Sequence, residues 1–81
     1  MGQPGYGTKY DFLVDGTLVR VFRDGRLLEG VEFSTADKDT RETESPLHKY
    51  LESIGRSRVD AHMVAVEVQN GKSVSGVFGK H

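Results

Sequence analysis

Val14-Asp15-Gly16-Thr17-Leu18-Val19-Arg20-Val21-Phe22-Arg23-Asp24-Gly25-Arg26-Leu27-Leu28 is the stretch that decides the fold. Two Asp-Gly dipeptides punctuate runs of Val, Leu and Phe interleaved with polar residues. Asp and Gly both accept the positive φ of a type I′ turn, so the pattern predicts tight hairpins. Three antiparallel strands are expected, at about 10–14, 17–23 and 26–33. With each Asp-Gly filling a two-residue turn, Val14 faces Thr17, Phe12 faces Val19 and Asp11 faces Arg20. Arg23 then faces Arg26, Val21 faces Leu28 and Arg20 faces Glu29. The register predicts a row of alternating charge, Asp11–Arg20–Glu29, at about 0.2–1 kcal/mol per opposite pair.

Working outward, residues 1–9 (MGQPGYGTK) hold three Gly and one Pro and read as an unstructured arm ahead of one small domain, 10–81. Residues 34–44 form a polar, acidic connection. Ser45-Pro46 suits an N-cap and first helical position. Leu47, Tyr50, Leu51 and Ile54 fall at i, i+3, i+4 and i+7, and Gly55 supplies the end of an amphipathic helix. A second hairpin, 59–69 and 72–78, closes at Asn70-Gly71. The predicted order is βββαββ: an α+β fold with a meander, a C-terminal hairpin and one helix.

That register makes both faces of the meander apolar. Tyr10, Phe12, Val14, Val19, Val21 and Leu28 lie on one; Leu13, Leu18, Phe22, Leu27, Val31 and Phe33 lie on the other. One short helix covers one face, so the sheet either curls toward a small barrel or meets another chain. The partly polar charge row favours its own face as the interface. Tyr10, Phe12, Val19 and Val21 are therefore assigned to the helix side. Leu18, Phe22, Leu27, Val31 and Phe33 are assigned to a partner: a second copy in a homodimer or larger ring, or another protein.

Composition narrows the function classes. The chain has 81 residues, 28% of them charged, with a formal charge of −1 and no Cys. Disulfides, thiolate metal sites and cysteine nucleophiles are excluded. No apolar run approaches the length of a membrane span, and no signal-peptide core is visible; the compartment stays open, with the cytoplasm favoured. The three histidines, His48, His62 and His81, share no metal-ligand spacing. His48 is expected on the exposed side of the helix and His62 at the start of a strand. Asp37, Asp39, Glu42 and Glu44 are expected in a solvated loop, where general acid–base work lacks fixed geometry. No nucleophile elbow or P-loop is present. The expectation is a non-enzymatic module with no metal and no cofactor.

Val19–Phe33, VRVFRDGRLLEGVEF, resembles the first hairpin of Sm-like RNA-binding barrels, in which a strand, Asn/Asp-Gly-Arg/Lys and a later Gly recur. The resemblance covers 15 of 81 residues. It departs from that family after Phe33, where no Asn follows and a helix lies mid-chain. It implies a barrel that binds nucleic acid. The halves differ in charge: residues 1–45 hold six basic and nine acidic side chains, whereas 46–81 hold five basic and three acidic. Arg56, Arg58, Lys72 and Lys80 are thus the candidate phosphate contacts of this alternative.

Overall fold

The meander forms where the alternating runs place it. The computed structural model describes residues 7–78. It contains β1 (Thr8–Asp15), β2 (Leu18–Arg23), β3 (Arg26–Ser34), α1 (Pro46–Ser53), α2 (Arg58–Gln69) and β4 (Val74–Phe78). The strands make one antiparallel sheet in the order β3-β2-β1-β4, not closed into a barrel. The fold is α+β. Thr8 and Lys9, expected in the arm, already belong to β1, while residues 1–6 lie outside the described residues.

The first turn holds Gly16-Thr17 rather than Asp15-Gly16, because Asp15 pairs with Leu18. Phe12 therefore faces Val21, and Leu13 faces Arg20. This slip of two leaves every side chain on its expected face, since strand side chains alternate with period two. The second turn is as predicted, with Arg23 opposite Arg26 and Phe22 opposite Leu27. Beyond it the register changes. Two steps along β2, from Phe22 to Arg20, correspond to five along β3, from Leu27 to Glu32. The three extra residues, Leu28, Glu29 and Gly30, form an irregularity in which Gly30 adopts φ +83°, a conformation open to Gly and costly to most other residues.

An odd slip reverses the faces of the remainder of β3. Val31 and Phe33, assigned to a partner, instead pack against the buried core beneath the helices. The charge row is also absent: Arg20 lies opposite Glu32 and 3.8 Å from Asp15. Tyr10, Phe12, Val19 and Val21 are buried together with Leu47 and Leu51 of α1, as expected.

The C-terminal half departs most from expectation. Residues 59–69 are not a strand but most of helix α2. Ser57 caps it, accepting a hydrogen bond from the Asp60 amide, and Asp60 lies in the first turn, where its charge favours the helix dipole. Asn70-Gly71 does not close a hairpin. Gly71 N–H donates to Val68 O and Lys72 N–H to Glu67 O, a Schellman termination with Gly71 at φ +93°. Ala61, Ala65 and Val68 form the buried stripe at i, i+4 and i+7. Small residues there admit close approach. β4 then returns beside β1 at the sheet edge.

Phe12, Val19, Val21, Leu51 and Ala61 are fully buried; each of the larger side chains contributes roughly 1.5–3 kcal/mol by leaving water. Tyr50 of α1 meets Phe33 at 5.4 Å between ring centroids and sits edge-on to Phe12 at 6.5 Å. This cluster ties the helix to the inner face of the sheet.

Candidate functional site

The described residues hold two unusual environments: a buried polar cluster at the helix pair, and a sheet face with no helix over it. The cluster begins at Asp39, in the connection expected to be solvated. Its side chain is fully buried. Asp39 Oδ1 accepts a 2.7 Å hydrogen bond from the Ser45 backbone N–H, and the Asp39 N–H donates to Gln69 Oε1 at 2.8 Å. Ser45 in turn caps α1 by accepting from the His48 N–H at 3.1 Å. The acidic connection is thus stitched to the start of α1 and the end of α2.

Asp39 Oδ2 faces two imidazoles. His48 Nδ1 of α1 lies 3.1 Å away, and His62 Nδ1 of α2 makes a short contact to the same oxygen. His48 Nε2 meets Glu52 at 3.0 Å and Glu44 at 3.5 Å. Asp39, His48 and His62 each bring one ligand-type atom within 4.8 Å of the other two, and both rings turn Nδ1 toward Asp39 Oδ2. A cleft of about 350 Å³ opens beside them, lined by Thr40, Arg41, Glu44, Arg58 and Val59 as well as both histidines.

Electrostatics couple the pair. Burial is the largest influence on Asp39 and acts to raise its pKa. The Ser45 N–H, the two imidazoles and the His48 charge outweigh it and hold the carboxyl below its ordinary value. Burial is also the largest influence on His48 and acts to lower it. Hydrogen bonds to Asp39 and Glu52, with the charges of Asp39 and Glu44, prevail and raise it. Without another cation the arrangement favours a charged imidazolium between carboxylates.

Chain spacing conceals this cluster. His48 is buried rather than on the exposed side of its helix, and His62 is helical rather than at a strand start. Two signals point the right way. His48 flanks the stripe containing Leu47 and Leu51, and Ser57-Arg58-Val59-Asp60 matches a helix-start pattern that puts His62 on a helix. His81 lies outside the described residues.

The second environment is the outer sheet face. β1 presents Leu13 there, with Asp11, Asp15 and Lys9; β2 adds Leu18, Arg20 and Phe22; β3 adds Leu27 and Glu32; β4 adds Val77. Leu13, Leu27 and Val77 are 44%, 47% and 65% exposed. Leu18, Phe22 and Leu27 therefore lie on the open face assigned to them. Val31 and Phe33 do not.

The basic candidates are not gathered. Arg56 lies 3.7 Å from Asp60, and Arg58 lies 3.8 Å from Glu44 at the cleft. Lys72 follows the far end of α2, roughly 17 Å of helix rise from Arg58 at 1.5 Å per residue. Lys80 lies outside the described residues.

No family model matches the chain, and neither a curated protein nor a solved structure is significantly similar to it.

Proposed function

We propose that the chain is a non-enzymatic binding module that associates with a second copy of itself through the sheet face its helices leave open. The observation that carries this reading is the run Leu13, Leu18, Phe22, Leu27 and Val77 across four strands with no described element over it. Several apolar side chains gathered on one open face of a small chain are unfavourable in water and are relieved by burial against a partner. The charges among these residues argue for a copy as that partner. Lys9 and Arg20 alternate with Asp11, Asp15 and Glu32, so the face carries both signs and can complement itself across a two-fold axis. A polyanion would meet more carboxylates than cations there.

Light scattering after size exclusion, over a dilution series, tests this. The expected result is a mass of two chains that falls toward one on dilution, and a Phe22→Glu variant that stays monomeric with unchanged circular dichroism. A chain that is monomeric at every concentration would overturn self-association. Should binding to a nucleic acid then appear, weakening steeply with salt, the nucleic-acid-binding alternative would gain the ground lost.

A further inference from the structure

We propose that Asp39 Oδ2, His48 Nδ1 and His62 Nδ1 bind one divalent transition-metal ion of the zinc type. The site is distinct from the sheet face and does not depend on self-association. The three atoms come from three segments, the acidic connection, α1 and α2, and converge on one point. Ligands about 2.0–2.1 Å from a tetrahedral ion stand roughly 3.3–3.4 Å apart. His48 Nδ1 is 3.1 Å from Asp39 Oδ2, so that edge opens by a few tenths of an ångström to admit the ion; His62 Nδ1 sits closer and must draw back further, which its partly exposed side chain allows.

The surroundings fit a built site. Asp39 is held by Ser45 through Oδ1, which leaves Oδ2 directed at both rings. His48 Nε2 donates to Glu52 when Nδ1 carries the metal, and this carboxylate–histidine contact fixes tautomer and ring angle together. The side chains of Asp39 and His48 are sealed, but that of His62 is 41% exposed beside the cleft. The cleft gives the ion a way in and leaves a fourth position for water. Two imidazoles and one carboxylate suit Zn²⁺ and its first-row neighbours. They supply too few oxygens for Ca²⁺ or Mg²⁺. Glu44 and Glu52 around His48 Nε2 make a poorer set: Glu44 also pairs with Arg58, and both carboxylates are only partly buried. Bound at Asp39, the ion would clasp the connection to both helices.

The test uses the full chain stripped with a chelator and titrated with Zn²⁺ by calorimetry, then with Co²⁺ followed by visible absorption. The expected result is one ion per chain, at the same stoichiometry in Phe22→Glu, with Ca²⁺ and Mg²⁺ silent. His62→Ala should weaken Zn²⁺ binding at least 100-fold and abolish the Co²⁺ band while the helical signal persists. Glu52→Gln should weaken binding by about 10–100-fold, as loss of an outer-shell partner does. Absence of stoichiometric Zn²⁺ and Co²⁺ binding would overturn the proposal. So would binding that His62→Ala leaves unchanged, since that ion must sit elsewhere.

Discussion

The buried cluster at Asp39 and the open sheet face break the same rule in opposite directions. Exposed single apolar residues are ordinary on any protein, whereas a sealed carboxylate and a sheet face carrying several apolar side chains among its charges are the informative departures. At Asp39 the chain removes charge from water and compensates it with a backbone donor and two imidazoles. On the outer face it leaves Leu13, Leu27 and Val77 exposed, with no compensation among the described residues. The difference separates what the fold needs from what it presents: the cluster is satisfied internally, and the face is not. Substitution in the first should therefore cost folding, and substitution in the second should cost association.

The largest effect is expected from Asp39→Ala. It strands the Ser45 N–H and leaves His48 to face Glu44 and Glu52 alone. Removing one partner of a buried charged pair typically costs about 3–5 kcal/mol. For so small a domain that is much of its total stability, so urea unfolding should show a collapsed midpoint or no folded baseline. A loss below roughly 1 kcal/mol would mean the cluster is solvated and the contrast with the sheet face is empty.

The pH profile sharpens the same side of the comparison in metal-free protein. His48 is raised by folding, so its contribution is complete below its ordinary value of 6.5 and lost as pH rises through the folded value. Asp39 is lowered, so its contribution is complete above 3.8 and lost as pH falls through the folded value. Chelator-treated protein should therefore be most stable between these limits, declining in mildly alkaline as well as acidic solution. Urea midpoints that stay level from about pH 5 to pH 9 would contradict a charged His48.

Gly30→Val tests how the two faces came to differ. A β-branched residue at φ +83° should cost about 1–2 kcal/mol, read as a lower melting temperature. If the variant is as stable as the parent, the irregularity in β3 does not depend on Gly30. That irregularity marks where the sequence stops being legible. Asp24-Gly25 specifies its turn from chemistry alone, and Ser45-Pro46 with Leu47, Tyr50, Leu51 and Ile54 specifies α1. Nothing local says that Gly30 relieves an odd slip rather than lying in a regular strand, so alternation alone puts Val31 and Phe33 on the wrong face. In α2, Val64, Val66 and Val68 imitate a strand, and Asn70-Gly71 serves a Schellman end as readily as a hairpin. The cluster is hidden for the same reason. It depends on α2 being helical and on a loop carboxylate being buried, and both follow from tertiary packing.

The smallest effect on folding should come from Leu27→Lys, and its neighbour shows why. Leu27 lies opposite Phe22 on the outer face, whereas Leu28 packs against the core. Lysine at 27 can keep its aliphatic stem along the sheet and its ammonium in water, so the folded monomer should change by no more than about 0.5 kcal/mol. In a dimer built on this face the same ammonium is buried against apolar side chains, and the dissociation constant should rise at least 10-fold. Leu28→Lys reverses the pattern, with a clear loss of stability and no direct effect at the interface. Measured together by urea unfolding and by sedimentation over a dilution series, the pair compares adjacent residues of one strand. Similar stability losses from both substitutions would mean that the outer face is covered within the chain, and the case for a second copy would fall with it.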